Sequence, residues 1–266
     1  MSNVARVRGI ELAYTDEGRG PVVLMLHGFP FDRSMWNGQV EKLSEDFRVI
    51  APDFRGHGET PPTREPSTME ELAEDLAALL DELNVPRAVV CGLSMGGYVA
   101  LAFYRARPER VRALVLADTR PNADTEDARR TREETARRAL EEGMAPIADA
   151  MLPKLLSAST REHSPEVVER VRRMMLGVKP EGAAAALRGM AVRRDQTDLL
   201  SKIDVPTLVV VGSEDIITPP SDAEAMHSRI EGSRLVVIEG AGHVSNVERP
   251  VEFDRALVEF LEGLPS

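Results

Sequence analysis

The amino-acid sequence predicts an α/β fold, with a mostly parallel, eight-stranded sheet and helices on both faces. Short apolar runs bounded by turn residues recur along the chain, as is typical of strands buried in a parallel sheet. Amphipathic segments with helical spacing separate several of these runs. The 266 residues are 42% hydrophobic and 29% charged, which is ordinary for one globular unit with a substantial core. The predicted strands are 4–7, 10–14, 22–26, 47–51, 88–91, 111–117, 207–211 and 234–238.

The first elements follow from their local patterns. Gly9 links the first two strands, which predicts an opening hairpin, and the next four strands form a parallel series. A crossover helix is predicted over 69–83, because its apolar residues recur at helical spacing. Thr68 and Glu71 are placed to form a capping box at its start. After the last strand, 250–261 has the pattern of another amphipathic helix.

Between Thr119 and about Thr197 the strand pattern is absent and the composition becomes helical and charged. One of the helices has clear signals at both ends. Ser164 is its predicted N-cap, Pro165 is at its first position and Gly177 lies just past its end. This stretch predicts a helical lid inserted after the sixth strand. Its predicted helices are 124–142, 145–156, 164–176 and 180–193. The expected division is 1–120 for the first part of the core, 121–196 for the lid and 197–266 for the second part of the core.

The predicted lid holds five of the eleven methionines of the chain. If they face a bound ligand, such flexible thioethers would form a pliable apolar roof over its apolar part. The same side chains would equally serve to pack the lid onto the core, since methionine fills irregular gaps in either role. Both interpretations stay open. The candidate substrate contacts are Met144, Met151, Met174 and Met175.

The segment from Cys91 to Gly97 places Ser94 at the centre of a G-x-S-x-G motif, between a strand-like run and an apolar helical stretch. Glycines two residues before and after the serine allow a tight strand-to-helix turn without side-chain clashes. Such a turn lifts the hydroxyl above the sheet and directs N–H groups at the helix start towards a developing oxyanion. Ser94 is therefore the candidate nucleophile, in preference to an ordinary N-cap serine.

A serine nucleophile needs a base, and an acid that orients the base. Asp215 lies in the loop after the predicted strand 207–211, and His243 lies in the loop after 234–238. Both residues, like Ser94, stand just beyond the carboxyl end of a strand, so the three side chains are expected to meet at one edge of the sheet. Asp118, just after the sixth strand, is the rival candidate for the acid.

Two further motifs accompany these residues. A His-Gly-Phe-Pro turn at 27–30 follows the third predicted strand, and an Asp-x-Arg-Gly-x-Gly-x-Thr loop at 53–60 follows the fourth. Together with the serine turn and the chain order serine, aspartate, histidine, they make the chain resemble the α/β-hydrolase superfamily over nearly its whole length. The resemblance implies an α/β-hydrolase fold in which the 53–60 loop shapes the site without doing chemistry.

The resemblance also assigns roles to individual residues. It implies a catalytic triad of Ser94, Asp215 and His243. It implies an oxyanion hole formed by two backbone N–H groups, one from Phe29 in the His-Gly-Phe-Pro turn and one from Met95, which follows the nucleophile. No metal or organic cofactor is implied, and no cysteine–histidine cluster in the sequence offers a metal site.

Within this superfamily the chain is similar to small bacterial carboxylesterases, 3-oxoadipate enol-lactonases and cofactor-free haloperoxidase or perhydrolase relatives. The resemblance favours a carboxylesterase that acts on short to medium acyl esters. A lactone hydrolase of the enol-lactonase kind is the main alternative, and it would need a cationic anchor for a carboxylate-bearing substrate. A receptor-like module that binds a ligand is the third hypothesis. Four arginines lie in or near the predicted lid, and each is either such an anchor or an ordinary surface residue. They are Arg120, Arg188, Arg193 and Arg194.

Composition argues against other classes of function. The formal net charge of −11 argues against a nucleic-acid partner, because binding phosphates needs a concentrated basic face. Cys91 is the single cysteine and has no internal disulfide partner. No apolar run approaches the roughly 18 residues of a membrane-spanning helix, and residues 1–9 lack the apolar region of a signal peptide. We therefore expect a cytoplasmic enzyme with a small-molecule ester or lactone as its partner, and either a monomer or a homodimer.

Four further histidines are expected to lie outside the chemistry. His27 and His57 are in the two motif loops, but neither follows the last strand, where the base should lie, so structural roles are expected for both. His163 and His227 are in polar helical surroundings and are expected to be solvated.

Overall fold

The computed structural model describes residues 3–62 and 66–265 and is built on one eight-stranded sheet. Its strands are β1 (Asn3–Val7), β2 (Ile10–Glu17), β3 (Val22–Leu26), β4 (Arg48–Pro52), β5 (Ala88–Leu93), β6 (Val111–Ala117), β7 (Thr207–Gly212) and β8 (Arg234–Ile238). The strand order is β1-β2-β4-β3-β5-β6-β7-β8. β1 and β2 form an antiparallel hairpin, β2 pairs antiparallel with β4, and all other neighbours are parallel. The predicted α/β fold with a mostly parallel sheet is confirmed.

Helices cover both faces of this sheet, as predicted. They are α1 (Asn37–Leu43), α2 (Met69–Glu82), α3 (Met95–Ala106), α4 (Glu126–Glu142), α5 (Ala145–Leu155), α6 (Ala158–His163), α7 (Pro165–Gly177), α8 (Pro180–Ala191), α9 (Pro220–His227), α10 (Ser245–Glu248) and α11 (Pro250–Glu262). Leu24 and Leu26 of β3 pack in one buried cluster with α2, α3 and α9. Val23 and Met25 point to the other face and pack with α1 and α11. This alternation is the period-two pattern of a strand buried on both faces.

Most element boundaries lie close to the predicted ones. Strands 22–26, 111–117 and 234–238 have the predicted ends. β2 continues past its predicted end to Glu17, because its last residues pair with β4. The predicted capping residue of α2 is also in place, since the Thr68 side chain accepts a hydrogen bond from the Glu71 N–H. The sequence does not predict α1, α6, α9 or α10, because helices of four to eight residues are too short to show a clear period.

Residues between β6 and β7 form the helices α4 to α8, so the helical insertion after the sixth strand is confirmed. Its division from the core at residues 120 and 197 stays a prediction. Ser164 and Pro165 hold the predicted positions at the start of α7, although the serine side chain makes no capping bond. Gly177 is the last residue of α7 instead of the first residue beyond it. The expectation was wrong by one residue because Gly177 does not adopt the left-handed conformation that ends many helices.

The two ends of the insertion are tied to each other and to the core by Arg193. Its side chain is 3% exposed and donates to Asp124 Oδ1 at 2.5 Å and to the Asn122 carbonyl at 2.7 Å. Its guanidinium lies 4.3 Å from the ring centre of Tyr98 on α3, in cation–π geometry. Asp124 also accepts a hydrogen bond from Arg132 of α4. The helical insertion is therefore fastened next to the helix that begins just after Ser94.

Candidate active site

Ser94 lies at the turn between β5 and α3. Its backbone conformation is one that residues other than glycine rarely adopt. Its φ is 54° and its ψ is −113°. The turn is held by two contacts, Ser94 N–H to the Ala117 carbonyl at 2.9 Å and Thr119 Oγ1 to the Ser94 carbonyl at 2.8 Å. Gly92 and Gly96 are crowded, since a Cβ at Gly92 would strike the Gly96 carbonyl oxygen. Such positive φ values cost roughly 1–3 kcal/mol and cluster at functional sites.

The structure brings the three predicted triad residues together. His243 Nε2 lies 2.8 Å from Ser94 Oγ, and His243 Nδ1 lies 2.8 Å from Asp215 Oδ2. Ser94 is 8% exposed, and His243 and Asp215 are each 2% exposed. Since Asp215 is beside Nδ1, that nitrogen carries the proton and leaves Nε2 free to accept one from the serine. This arrangement is able to move a proton from a hydroxyl to an imidazole beside a carboxylate.

Asp215 is held in place by its own loop. Its Oδ1 accepts hydrogen bonds from the N–H groups of Ile217 at 2.8 Å and Thr218 at 3.0 Å. Its Oδ2, which faces His243, also accepts from Thr218 Oγ1 at 2.6 Å. Thr218 was absent from the predicted site residues. The signal that could have found it is its place three residues after the candidate acid, a spacing at which a hydroxyl reaches back to a carboxylate.

The electrostatics of the pair favour an ionised Asp215 and a basic His243. Burial acts to raise the pKa of Asp215, but the charge of His243 and the hydrogen bonds from His243 and Thr218 lower it overall. Burial acts to lower the pKa of His243, and Arg120 acts in the same direction. The charge and hydrogen bond of Asp215, together with the charge of Asp118, raise the pKa of His243 by more than burial and Arg120 lower it. The net shift of this pKa is therefore upward.

Asp118, the rival acid, lies close to the site but bonds to other groups. Its Oδ1 accepts from the Gly212 N–H at 2.9 Å, and its Oδ2 accepts from Ser245 Oγ at 2.5 Å. The residue is fully buried and has a φ of 45°. Burial first, and then the charge of Asp215, raise the pKa of Asp118 to about 7. Asp215, and not Asp118, is the carboxylate within hydrogen-bonding distance of His243.

The two predicted oxyanion-hole residues both lie next to the turn that carries Ser94. Met95 is the first residue of α3, where a backbone N–H has no partner within its own helix. Phe29 follows Gly28, where an added Cβ would lie 3.5 Å from Ser94 Cβ, so this turn packs against the serine. Among residues 3–62 and 66–265, no acceptor takes the N–H of either Phe29 or Met95. Both N–H groups are therefore available to a ligand oxygen, and their role as an oxyanion hole stays a prediction.

The remaining histidines occupy the surroundings that the sequence predicts. His27 is fully buried and its Nε2 accepts the Phe54 N–H at 3.0 Å, which joins the 27–30 turn to the 53–60 loop. His57 Nδ1 donates to the Arg55 carbonyl at 3.0 Å. Burial lowers the pKa of His27 to about 4 and that of His57 to about 3, so both are neutral. His163 and His227 are exposed.

The four predicted lid methionines all lie in or against the buried clusters. Met144 is 5% exposed, Met174 is 9% exposed and Met175 is fully buried. Met151 is partly buried and packs against the clusters on both faces of the sheet. Both clusters contain residues of the core as well as residues of the insertion. The contact of the four methionines with a substrate stays a prediction.

The candidate arginine anchors differ in how they are already paired. Arg193 is committed to Asp124, as described above, and Arg188 donates to both carboxylate oxygens of Glu133 at 2.8 Å. Arg120 is more loosely held, since its Nη1 lies 3.7 Å from Asp222 Oδ2 and its Nε has no hydrogen-bond partner. Arg194 is exposed. Of the four, Arg120 is the one whose charge acts on His243.

In the part of the chain that the structure describes, no cluster of three or more His, Cys, Asp or Glu side chains is arranged to hold a metal ion. The helices of that same part are all too short or too polar to cross a membrane. Cys91 is fully buried, and burial raises the pKa of its thiol.

The chain is similar over most of its length to a known protein family and to proteins of known sequence. The family described as the α/β hydrolase fold matches residues 21–250. A 3-oxoadipate enol-lactonase from Acinetobacter baylyi is 31% identical over 250 residues, which cover 93% of this chain and 92% of that protein.

Two solved structures extend this similarity. A thermophilic esterase from Thermogutta terrifontis with malate bound has a TM-score of 0.97 and 44% identity, and all of each chain is covered. An enol-lactonase from Burkholderia xenovorans has a TM-score of 0.92 and 33% identity, with 98% of this chain and 100% of that chain covered. The matches cover both the sheet and the helical insertion.

Proposed function

The chain belongs to the α/β-hydrolase family, and we propose that it is a serine hydrolase that cleaves carboxylic esters of short to medium acyl chain. The observation that carries the proposal is the pair of 2.8 Å contacts that His243 makes with Ser94 and with Asp215. A nucleophile, a base and an orienting acid in this order and geometry are the parts that acyl transfer needs.

In the proposed first half-reaction, Ser94 Oγ bonds to the substrate carbonyl carbon while His243 Nε2 takes the hydroxyl proton. The carbonyl oxygen becomes an oxyanion between the N–H groups of Phe29 and Met95. Collapse of this intermediate breaks the ester bond, and the alcohol leaves with the proton from His243. Asp215 stays ionised throughout and stabilises the imidazolium.

In the second half-reaction, water attacks the acyl carbon of the Ser94 ester, and His243 accepts its proton. The new tetrahedral intermediate releases the acid, and the proton returns to Ser94 Oγ. Because the proposed oxyanion donors are backbone groups, side-chain substitution at Phe29 or Met95 leaves them in place. Loss of one such donor typically costs about 10²–10³ in rate.

Hydrolysis of a carboxylate-bearing lactone is the second candidate, and two observations favour it. Relatives that are 31% and 33% identical to this chain are enol-lactonases. Arg120, whose Nε has no partner, is a cation near His243 that suits the carboxylate of such a substrate. Ester hydrolysis has the stronger support of the two, because the esterase from Thermogutta terrifontis has the higher identity, 44%.

The experiment that tests the proposal is a substrate panel assayed with purified protein. It compares p-nitrophenyl esters of increasing acyl length with a carboxylate-bearing enol-lactone and a neutral lactone, for wild type, Ser94→Ala and the control Ser228→Ala. Ser228 is an exposed serine just after α9, so its loss should leave turnover unchanged. We expect turnover of short to medium esters that depends on Ser94.

Other outcomes of the panel would change the assignment. A strong preference for the carboxylate-bearing lactone would make the lactonase the function. Stoichiometric acylation without turnover would indicate a ligand-binding module. Turnover of esters that survives Ser94→Ala would contradict the proposal.

A further inference from the structure

Glu248 is a buried carboxylate that the proposed triad does not use. It is the last residue of α10, a short helix that begins two residues after His243, and it is 5% exposed. A buried carboxylate is costly unless its oxygens accept hydrogen bonds. The donors that satisfy Glu248 therefore indicate what the residue is for.

Both oxygens of Glu248 accept backbone N–H groups, and the two donors come from distant parts of the chain. Oε1 accepts the N–H of Gly242, the residue directly before His243, at 2.7 Å. Oε2 accepts the N–H of Ser157, between α5 and α6 of the helical insertion, at 2.9 Å. One carboxylate thus joins the loop of the candidate base to the insertion.

A second contact joins the same two segments directly. The His243 N–H donates to the carbonyl of Leu155, the last residue of α5, at 2.8 Å. The approach is so close that a Cβ at Gly242 would lie 2.8 Å from Leu155 O and from Ser157 N, and 2.9 Å from Glu248 Oε1. Only glycine fits at position 242 without a shift of these groups.

We propose that Glu248 is a positioning residue for His243, and that through it the placement of the imidazole depends on the junction between α5 and α6. This inference rests on the proposed function. The imidazole contacts both Ser94 and Asp215 at 2.8 Å, so the loop that carries it has little freedom to shift. A displacement of about 1 Å at a reacting group can cost about 10²-fold in rate.

The first test is Glu248→Gln, which keeps the size of the side chain. Its amide oxygen can accept one of the two N–H groups, but its NH₂ group then faces the other N–H, donor against donor. We expect kcat for p-nitrophenyl butyrate to fall by about 10- to 100-fold with little change in KM, because the base is displaced while the substrate pocket remains.

The second test acts from the side of the insertion. Ser157 has a φ of −57°, which proline adopts, and Leu156 before it is extended, as a residue preceding proline prefers. Ser157→Pro therefore replaces the N–H that Glu248 accepts with a ring methylene group, which also displaces the carboxylate from its place 2.9 Å from this nitrogen. It also removes the hydroxyl that caps α6 by accepting the Thr160 N–H, so the matched control is Ser157→Ala, which loses the hydroxyl and keeps the N–H. We expect kcat of Ser157→Pro to be about tenfold below that of Ser157→Ala.

A third readout does not depend on turnover. The proton on His243 Nδ1, which is bonded to Asp215, should give a downfield ¹H resonance in the wild-type protein. We expect this resonance to shift or broaden in Glu248→Gln and in Ser157→Pro, but to remain in Ser157→Ala. A role in stability alone would lower the Tm and leave the resonance and kcat of the folded protein unchanged.

The outcomes separate this inference from the proposed function. Wild-type kcat and an unshifted resonance in folded Glu248→Gln would overturn the positioning role. Equal kcat and equal resonances for Ser157→Pro and Ser157→Ala would overturn the dependence on the insertion. If wild type shows no hydrolysis that depends on Ser94, the proposed function fails, while the resonance comparison still decides whether Glu248 positions His243.

Discussion

His243 Nε2 lies 2.8 Å from Ser94 Oγ, although the two residues are 149 positions apart in the chain. The contact exists because their loops follow β5 and β8, whose carboxyl ends lie at the same edge of the sheet. Asp215 follows β7, and its Oδ2 lies 2.8 Å from the other ring nitrogen of His243, Nδ1. The fold itself thus assembles the proton path that we propose, and a preassembled path lowers the cost of reorganisation during the reaction.

The identity of the acid can be tested by comparing Asp215→Asn with Asp118→Asn. We expect Asp215→Asn to lower kcat by on the order of 10⁴, because an amide neither stabilises the imidazolium nor holds the correct tautomer. Asp118→Asn should cost far less, since Asp118 bonds to Gly212 and Ser245 instead of to the imidazole. Steady-state kinetics on one ester would decide the matter, and a larger loss for Asp118→Asn would make Asp118 the acid.

The pH profile of kcat/KM tests the base. A protonated His243 cannot accept the Ser94 proton, so we expect kcat/KM to rise with pH between 5 and 9. Burial lowers the pKa of His243, but Asp215 and Asp118 raise it by more, so the midpoint should lie above the ordinary histidine value of about 6.5. A flat profile would exclude histidine as the base.

The pH profile of kcat/KM measured on Asp118→Asn tests whether the charge of Asp118 raises the pKa of His243. The Asp118 carboxyl, with a pKa of about 7, is partly ionised in this pH range, and its negative charge stabilises the imidazolium. Its removal should therefore lower the pKa of His243 and move the midpoint to lower pH. A midpoint that moves to higher pH would show that the charge of Asp118 does not act on His243 in this way.

The turn that carries Ser94 should not tolerate a side chain at Gly92. In Gly92→Ala the new Cβ would strike the Gly96 carbonyl oxygen, and overpacking of this kind costs about 1–3 kcal/mol. Urea unfolding should show this loss of stability. The matched control is Gly38→Ala in α1, where a Cβ meets nothing within 4 Å, and this variant should be neutral or more stable. Equal stabilities of the two variants would contradict the packing of the turn.

The ion pair that joins the two ends of the insertion should contribute to stability. Asp124→Asn leaves the Arg193 guanidinium, whose side chain is 3% exposed, without its carboxylate partner. Breaking a buried pair on one side typically costs about 3–5 kcal/mol. Thermal unfolding should show a clear fall in Tm, with Asp127→Asn as the control, since Asp127 pairs with Arg130 at the surface. A Tm within error of the control would show that the pair is not a structural tie.

Much of this architecture could be predicted from the sequence because it depends on local patterns. β3, β6 and β8 are apolar runs that end at turn residues, and their predicted ends match. The Ser94 turn is visible because a tight strand-to-helix turn needs glycine at fixed positions. The rule that loops after parallel strands meet at one sheet edge then places Asp215 and His243 with the serine.

Other features depend on contacts between distant segments, which no local pattern encodes. Glu248 joins Gly242 to Ser157 across the boundary between core and insertion, and neither spacing nor periodicity points to that contact. The methionines of the insertion are of a residue type that suits contact with a substrate. Which surface they contact depends on how the insertion packs, and the sequence does not predict that packing. Gly177 has the residue type of a helix stop, yet its backbone conformation keeps it within α7.

The central claim, that Ser94 carries the acyl group during turnover, is tested most directly by trapping the intermediate. The protein would be mixed with p-nitrophenyl acetate, quenched with acid during turnover and analysed by intact mass and peptide mapping. We predict one acetyl group on the peptide that contains Ser94, and none on the corresponding peptide of Ser94→Ala. Ester hydrolysis at the wild-type rate with no acylated Ser94, or with the acyl group on another residue, would contradict the account.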